Sequence, residues 1–105
     1  QIAVNVTGPA SMVVPEIAGL RVVVISLLLG STAADAIVVY EGVATDPAQT
    51  LKIGALPVSK DTPTPLTVSP PDCLVRTSVG KGVALGVVGG ATVTGSISFY
   101  YEGTL

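Results

Sequence analysis

From Val93 to Tyr101 the chain alternates with a period of two. Val93, Gly95, Ile97, Phe99 and Tyr101 fall on one side of an extended backbone, and Thr94, Ser96, Ser98 and Tyr100 on the other. A helix would scatter these residues around its axis, whereas a strand separates them into an apolar face and a hydroxyl face. The rest of the chain has the material for the same structure. About one residue in three is Val, Ile or Thr, whose branched side chains suit a pleated surface. Twelve Gly and eight Pro break the sequence into short runs, as many tight turns require.

The runs read as strands throughout. Ile2, Val4 and Val6 alternate with smaller or polar residues before Thr7-Gly8-Pro9, and Ser11 to Val14 is a second short piece. Leu20 to Leu29 is almost wholly apolar, which predicts a strand covered on both faces. After a small-residue turn at 30–35, Ala36 to Glu41 returns as a strand. A loop is predicted at 42–50, a strand at 51–55 and a Pro- and Thr-rich loop at 57–65. Leu66 to Val68 and Cys73 to Arg76 flank a turn at 69–72. Gly89-Gly90 reads as the hairpin turn between Val83–Val88 and the last strand. The prediction is an all-β chain, a single antiparallel β-sandwich or jelly roll of about eight strands, forming one domain over 1–105. Residues 1–19 read as a candidate N-terminal arm.

The composition argues against several classes of function. Hydrophobic residues make up 49% of the chain, charged residues 11%, and the mean hydropathy is +0.73. Yet the longest apolar run, Val22 to Leu29, falls far short of the roughly 20 residues of a spanning helix, so no membrane is expected. Nor does a signal-peptide pattern appear. A net charge of −2 offers no basic field for nucleic acid. The lone Cys73 has no disulfide partner and reads as a small buried hydrophobe.

Catalytic and ligand signals are equally sparse. Without His, the usual general base and the commonest metal ligand are missing. The seven acids, Glu16, Asp35, Glu41, Asp46, Asp61, Asp72 and Glu102, are dispersed beside predicted turns, where they cap and solubilise. Gly80-Lys81-Gly82 lacks the spacing of a phosphate loop. No enzyme activity, catalytic residue, metal or cofactor is predicted.

Hydrophobicity in excess of what so small a domain can bury points to association. A chain with few charges and many strands must cover apolar surface and sheet edges with neighbours, which predicts an oligomer or assembly subunit. Tyr40, Phe99, Tyr100 and Tyr101 are the candidate interface residues, since tyrosine suits positions with one end buried and the other wet.

Two stretches carry a family resemblance. One is Leu20-Arg21-Val22-Val23-Val24-Ile25-Ser26-Leu27-Leu28-Leu29, then a small-residue turn and Ala36-Ile37-Val38-Val39-Tyr40-Glu41-Gly42. The other runs from Arg76 to Leu85 with the spacing T-x-x-G-x-x-x-A-L, followed by the closing strand Val93 to Tyr100. Over Leu20 to Glu102 the pattern resembles small β-sandwich virion proteins of tailed bacteriophages, in particular head decoration or cement proteins. The resemblance implies a homotrimer on the capsid surface of a virion, with the major capsid protein as partner and no catalytic residues. The alternative expectation is a receptor- or glycan-binding adhesin or fibre-tip module, with contacts from the loops at 42–50 and 57–65.

Overall fold

The computed structural model describes residues 2–61, 64–67 and 73–103. Among them lie nine strands and no helix: β1 (Ile2–Val6), β2 (Ser11–Val14), β3 (Leu20–Ser31), β4 (Asp35–Val43), β5 (Asp46–Val58), β6 (Thr64–Thr67), β7 (Val75–Arg76), β8 (Gly82–Val87) and β9 (Val93–Gly103). They form two antiparallel sheets packed face to face, the β-sandwich that the alternation predicts. Sheet I has the order β1-β9-β3-β6, with β7 also on β3, and sheet II the order β2-β8-β4-β5. Of the candidate arm, the described residues 2–19 do not extend away. They supply β1 to sheet I and β2 to sheet II.

One core lies between the sheets. Sheet I contributes Val4, Val6, Val22, Val24, Leu27, Leu29, Val93 and Ile97, and sheet II contributes Val14, Ile37, Val39, Val83, Leu85 and Val87. Each such side chain contributes roughly 1.5–3 kcal/mol on burial. In β9 the apolar face points inward: Val93 and Ile97 are buried, and Phe99 and Tyr101 pack against the core.

The apolar run in β3 is resolved by a bulge. The pairing with β9 shifts between Val24 and Ser26, so Ile25 is an extra residue and the inward parity changes. Val22 and Val24 face the core before the bulge, and Leu27 and Leu29 after it. Cover on both faces, predicted for the whole run, holds at Val22–Val24 but not at Leu28, which is 43% exposed on the outer face.

Five local expectations are corrected. Gly89-Gly90 does not close a hairpin, because β8 lies in sheet II and β9 in sheet I. The turn crosses between sheets, with Gly90 at a φ of 84°. The predicted loop at 42–50 is mostly strand. β4 and β5 form a ribbon with a tight connection at Ala44-Thr45, and β5 keeps Pro47 and Pro57 because it is an edge strand with a bulged register. Part of the predicted loop at 57–65 is likewise strand, at Pro57-Val58 and Thr64-Pro65. β6 and β7 do not form a hairpin either, since both pair with β3 and lie end to end along its open side. The turn predicted at 69–72 lies outside the described residues. Cys73 is half-buried rather than buried, and free.

Candidate interaction surface

Among the described residues no three His, Cys, Asp or Glu side chains gather into a group able to hold a metal ion. No helix of the described residues is long and apolar enough to cross a membrane. The chemistry this chain displays is on the two outer faces of the sandwich. Because strand register fixes which residues stand side by side, each face can be read as rows across the strands.

On sheet II one row crosses all four strands: Met12, Ala84, Tyr40, Leu51. Its inward neighbours Val83, Leu85 and Val39 belong to the core, so this row faces outward. The adjoining pairs are Gly86–Val38 and Gly82–Gly42. No residue in these rows is charged. Leu51 is 56% exposed, and Tyr40, Val38 and Met12 are half-buried. The small residues at the centre serve close packing. A Cβ at Gly86 would fall on the carbonyl oxygen of Pro9, and one at Gly82 on that of Val14. The chain before β2 therefore lies close across the sheet, held by a hydrogen bond from the Val87 N–H to the Gly8 carbonyl (2.9 Å).

Sheet I presents a different surface. Its rows read Asn5–Thr94–Gly30, Ala3–Ser96–Leu28–Pro65, Ser98–Ser26 and Tyr100–Val23–Arg76, closing on Glu102–Arg21. Hydroxyl residues run along β9 at Thr94, Ser96, Ser98 and Tyr100 and onto Ser26, with charge at one end. Glu102 Oε1 lies 3.8 Å from Arg21 Nε and 3.6 Å from Arg76 Nε.

The four candidate aromatics do not form one site. Phe99 and Tyr101 meet edge-to-face, with centroids 5.7 Å apart at 90°, and both pack on the core. The Tyr101 hydroxyl donates to the Pro15 carbonyl (2.8 Å), which ties the end of β9 to the β2–β3 connection. Burial, and then the neighbouring Glu16, raise its pKa. Tyr100 points outward on sheet I and Tyr40 outward on sheet II. Tyr40 alone of the four stands in the uncharged row.

Two carboxylates have roles of different kinds. Asp35 accepts N–H bonds from Ala36 (2.7 Å), Gly89 (2.8 Å) and Ala91 (3.1 Å). It thereby fixes the crossing between sheets, and these amides, led by Ala36 and Ala91, hold its pKa below the usual carboxylate range. Glu41, grouped by its sequence context with the turn and surface acids, is instead buried at 4% exposure. It pairs with Lys52 Nζ (3.0 Å) and accepts the Ser78 N–H (3.2 Å). Burial acts to raise its pKa, but the bonds from Lys52 and Ser78 outweigh that and lower it. Its place in strand alternation, two residues beyond the inward-facing Val39, is the sequence signal that marks it as inward.

No family model matches the chain, and no curated protein or solved structure is found to be similar to it.

Proposed function

We propose that this chain is a structural assembly subunit, a capsid decoration or cement protein that binds the head lattice of a virion and stabilises it. The observation that supports this reading is the uncharged outer face of sheet II, the row Met12–Ala84–Tyr40–Leu51. Leu51 is exposed there and Met12 and Tyr40 are half-buried, with no charge among them, and uncharged surface gathered on one face suits association. With β6 and β7 read as one interrupted strand, the sheet orders β1-β9-β3-β6 and β2-β8-β4-β5 support a jelly-roll reading of the sandwich, an architecture found in viral capsid and lectin domains. The family resemblance adds the specific partner, the major capsid protein, and a trimeric state. Binding across subunit boundaries stabilises a shell because opening it must also break the added contacts. Repetition over a lattice compounds modest individual contacts.

Purified protein added to undecorated phage heads is expected to bind at a copy number that follows the lattice and to raise their heat resistance. Leu51→Lys is expected to weaken that binding by about tenfold or more, the effect of a charge placed within a desolvated contact. Failure to bind any head contradicts the reading.

A second reading, a receptor- or glycan-binding module, draws on sheet I. There Tyr100 is 37% exposed beside Ser98 and the Arg76–Glu102 pair, a mix of ring and polar groups suited to a sugar. A glycan-array signal lost in Tyr100→Ala, with no binding to heads, favours it.

A further inference from the structure

The two sheets have four edges, and three of them carry devices that discourage pairing with another strand. β2 has four residues, a register shift between Met12 and Val14, and Pro15 directly after it. β5 has three register shifts, Pro47 and Pro57 within it, and Lys52 and Asp46. The edge of β6 and β7 is interrupted and contains Pro65 and Arg76. Apart from its own short length of five residues, β1 has none of these. Ile2–Val6 contains no charge, proline or glycine, and it pairs with β9 in unbroken register from Ile2↔Ile97 to Val6↔Val93. Among the described residues no strand pairs with its other side.

We infer that β1 is a docking edge for a second copy of this chain, the two β1 strands pairing antiparallel about a two-fold axis at Val4. The strand's pattern is self-complementary in that arrangement. Val4 meets its equivalent, and Ile2 stands opposite the second copy's Val6 on the inner face, where all three are apolar. Ala3 stands opposite the second copy's Asn5 on the outer face, where both are exposed. With the axis normal to the sheet, sheet I continues from one copy into the next with inner and outer faces matched. The absence of charge is what admits a like strand, because no like charges oppose across the axis. The contact uses neither outer face, so it does not compete with a lattice contact through the outer face of sheet II.

Sedimentation velocity across a concentration series tests it. The wild-type particle is expected to double in mass as concentration rises, and the Ala3→Lys/Asn5→Lys variant to remain at half that mass with an unchanged melting temperature. Mixing that variant with Ala3→Glu/Asn5→Glu is expected to restore the doubling. Amide exchange provides a check free of substitution: Ile2–Val6 should slow with concentration while Ser11–Val14 does not. A wild type that never doubles below about 1 mM, where association falls to roughly 4 kcal/mol, overturns the proposal. So does doubling that survives the lysine substitutions, or β1 exchange that ignores concentration.

Discussion

The two outer faces of this sandwich are built on the same strand geometry and differ almost entirely in chemistry. Sheet I shows water a ladder of hydroxyl residues that ends in the Arg21–Glu102–Arg76 group. Sheet II shows Met12, Tyr40 and Leu51, while Ala84 and Gly86 between them are buried, Gly86 beneath the Pro9 backbone. A monomer that needed only solubility would have no use for the difference. The proposed assembly role would use it, with the hydroxyl face wet and the other against a neighbour. Exposed apolar side chains occur on both faces, Leu51 on sheet II and Leu28 and Tyr100 on sheet I, so what distinguishes sheet II is the lack of charged, Ser or Thr residues in the row of Leu51 rather than a larger apolar area.

The largest predicted effect sharpens this contrast through two glycines. Gly86→Val on sheet II drives a side chain into the Pro9 backbone and is expected to destabilise by about 3 kcal/mol or more. Gly30 lies on the outer face of sheet I, where an added Cβ makes only an ordinary 3.9 Å contact with the Thr94 carbonyl oxygen. Gly30→Ala is therefore expected to shift stability by no more than about 0.5 kcal/mol. Chemical denaturation of both variants compares the two positions directly, and equal losses would contradict the cover of Gly86 by the Pro9 segment and the open surroundings of Gly30.

Next in size is the buried pair at the end of sheet II. Lys52→Met leaves Glu41 with the Ser78 N–H but without its cation, and is expected to cost about 1–3 kcal/mol, reduced by the partial exposure of Lys52. The pH dependence follows from the same carboxylate and from Asp35. Both have pKa values lowered by folding, so the stability they contribute is complete above the unfolded carboxylate range of about 4 and is lost as pH falls through their lower folded values. Thermal melts are expected to weaken on acidification below that range. Asp35→Asn should lower the melting temperature at neutral pH and flatten the acid limb, because the variant has no proton to take up there. The smallest effect belongs to sheet I. Glu102→Gln removes an exposed ion pair at 3.6–3.8 Å and is expected to change stability by about 0.5 kcal/mol or less, vanishing in high salt.

Much of this fold was legible in the sequence because strand alternation is a local signal. The inward residues of β9 and the apolar content of β3 follow from it directly. What stayed hidden depends on contacts far along the chain. Gly89-Gly90 looks the same locally whether the chain turns back into its own sheet or crosses to the other. The crossing is fixed by Asp35, more than fifty residues earlier, whose carboxylate holds the Gly89 and Ala91 amides. The bulge at Ile25 leaves no composition signature, since every residue around it except Ser26 is apolar. Asp46-Pro47 resembles a loop because proline is barred from central strands, yet an edge strand accepts it. Of the candidate aromatics, Tyr40 alone lies in the uncharged row, and this follows from its register with Ala84 and Leu51 rather than from its neighbours in sequence.

The two faces carry their own reporters, Met12 and Tyr40 on sheet II and Tyr100 on sheet I. Hydroxyl-radical footprinting of the protein free and bound to phage heads therefore tests the central claim, that sheet II is the face that meets the lattice. Oxidation of Met12 and Tyr40 is expected to fall sharply on binding while that of Tyr100 is unchanged. Protection of Tyr100 with Met12 and Tyr40 still reactive would contradict it.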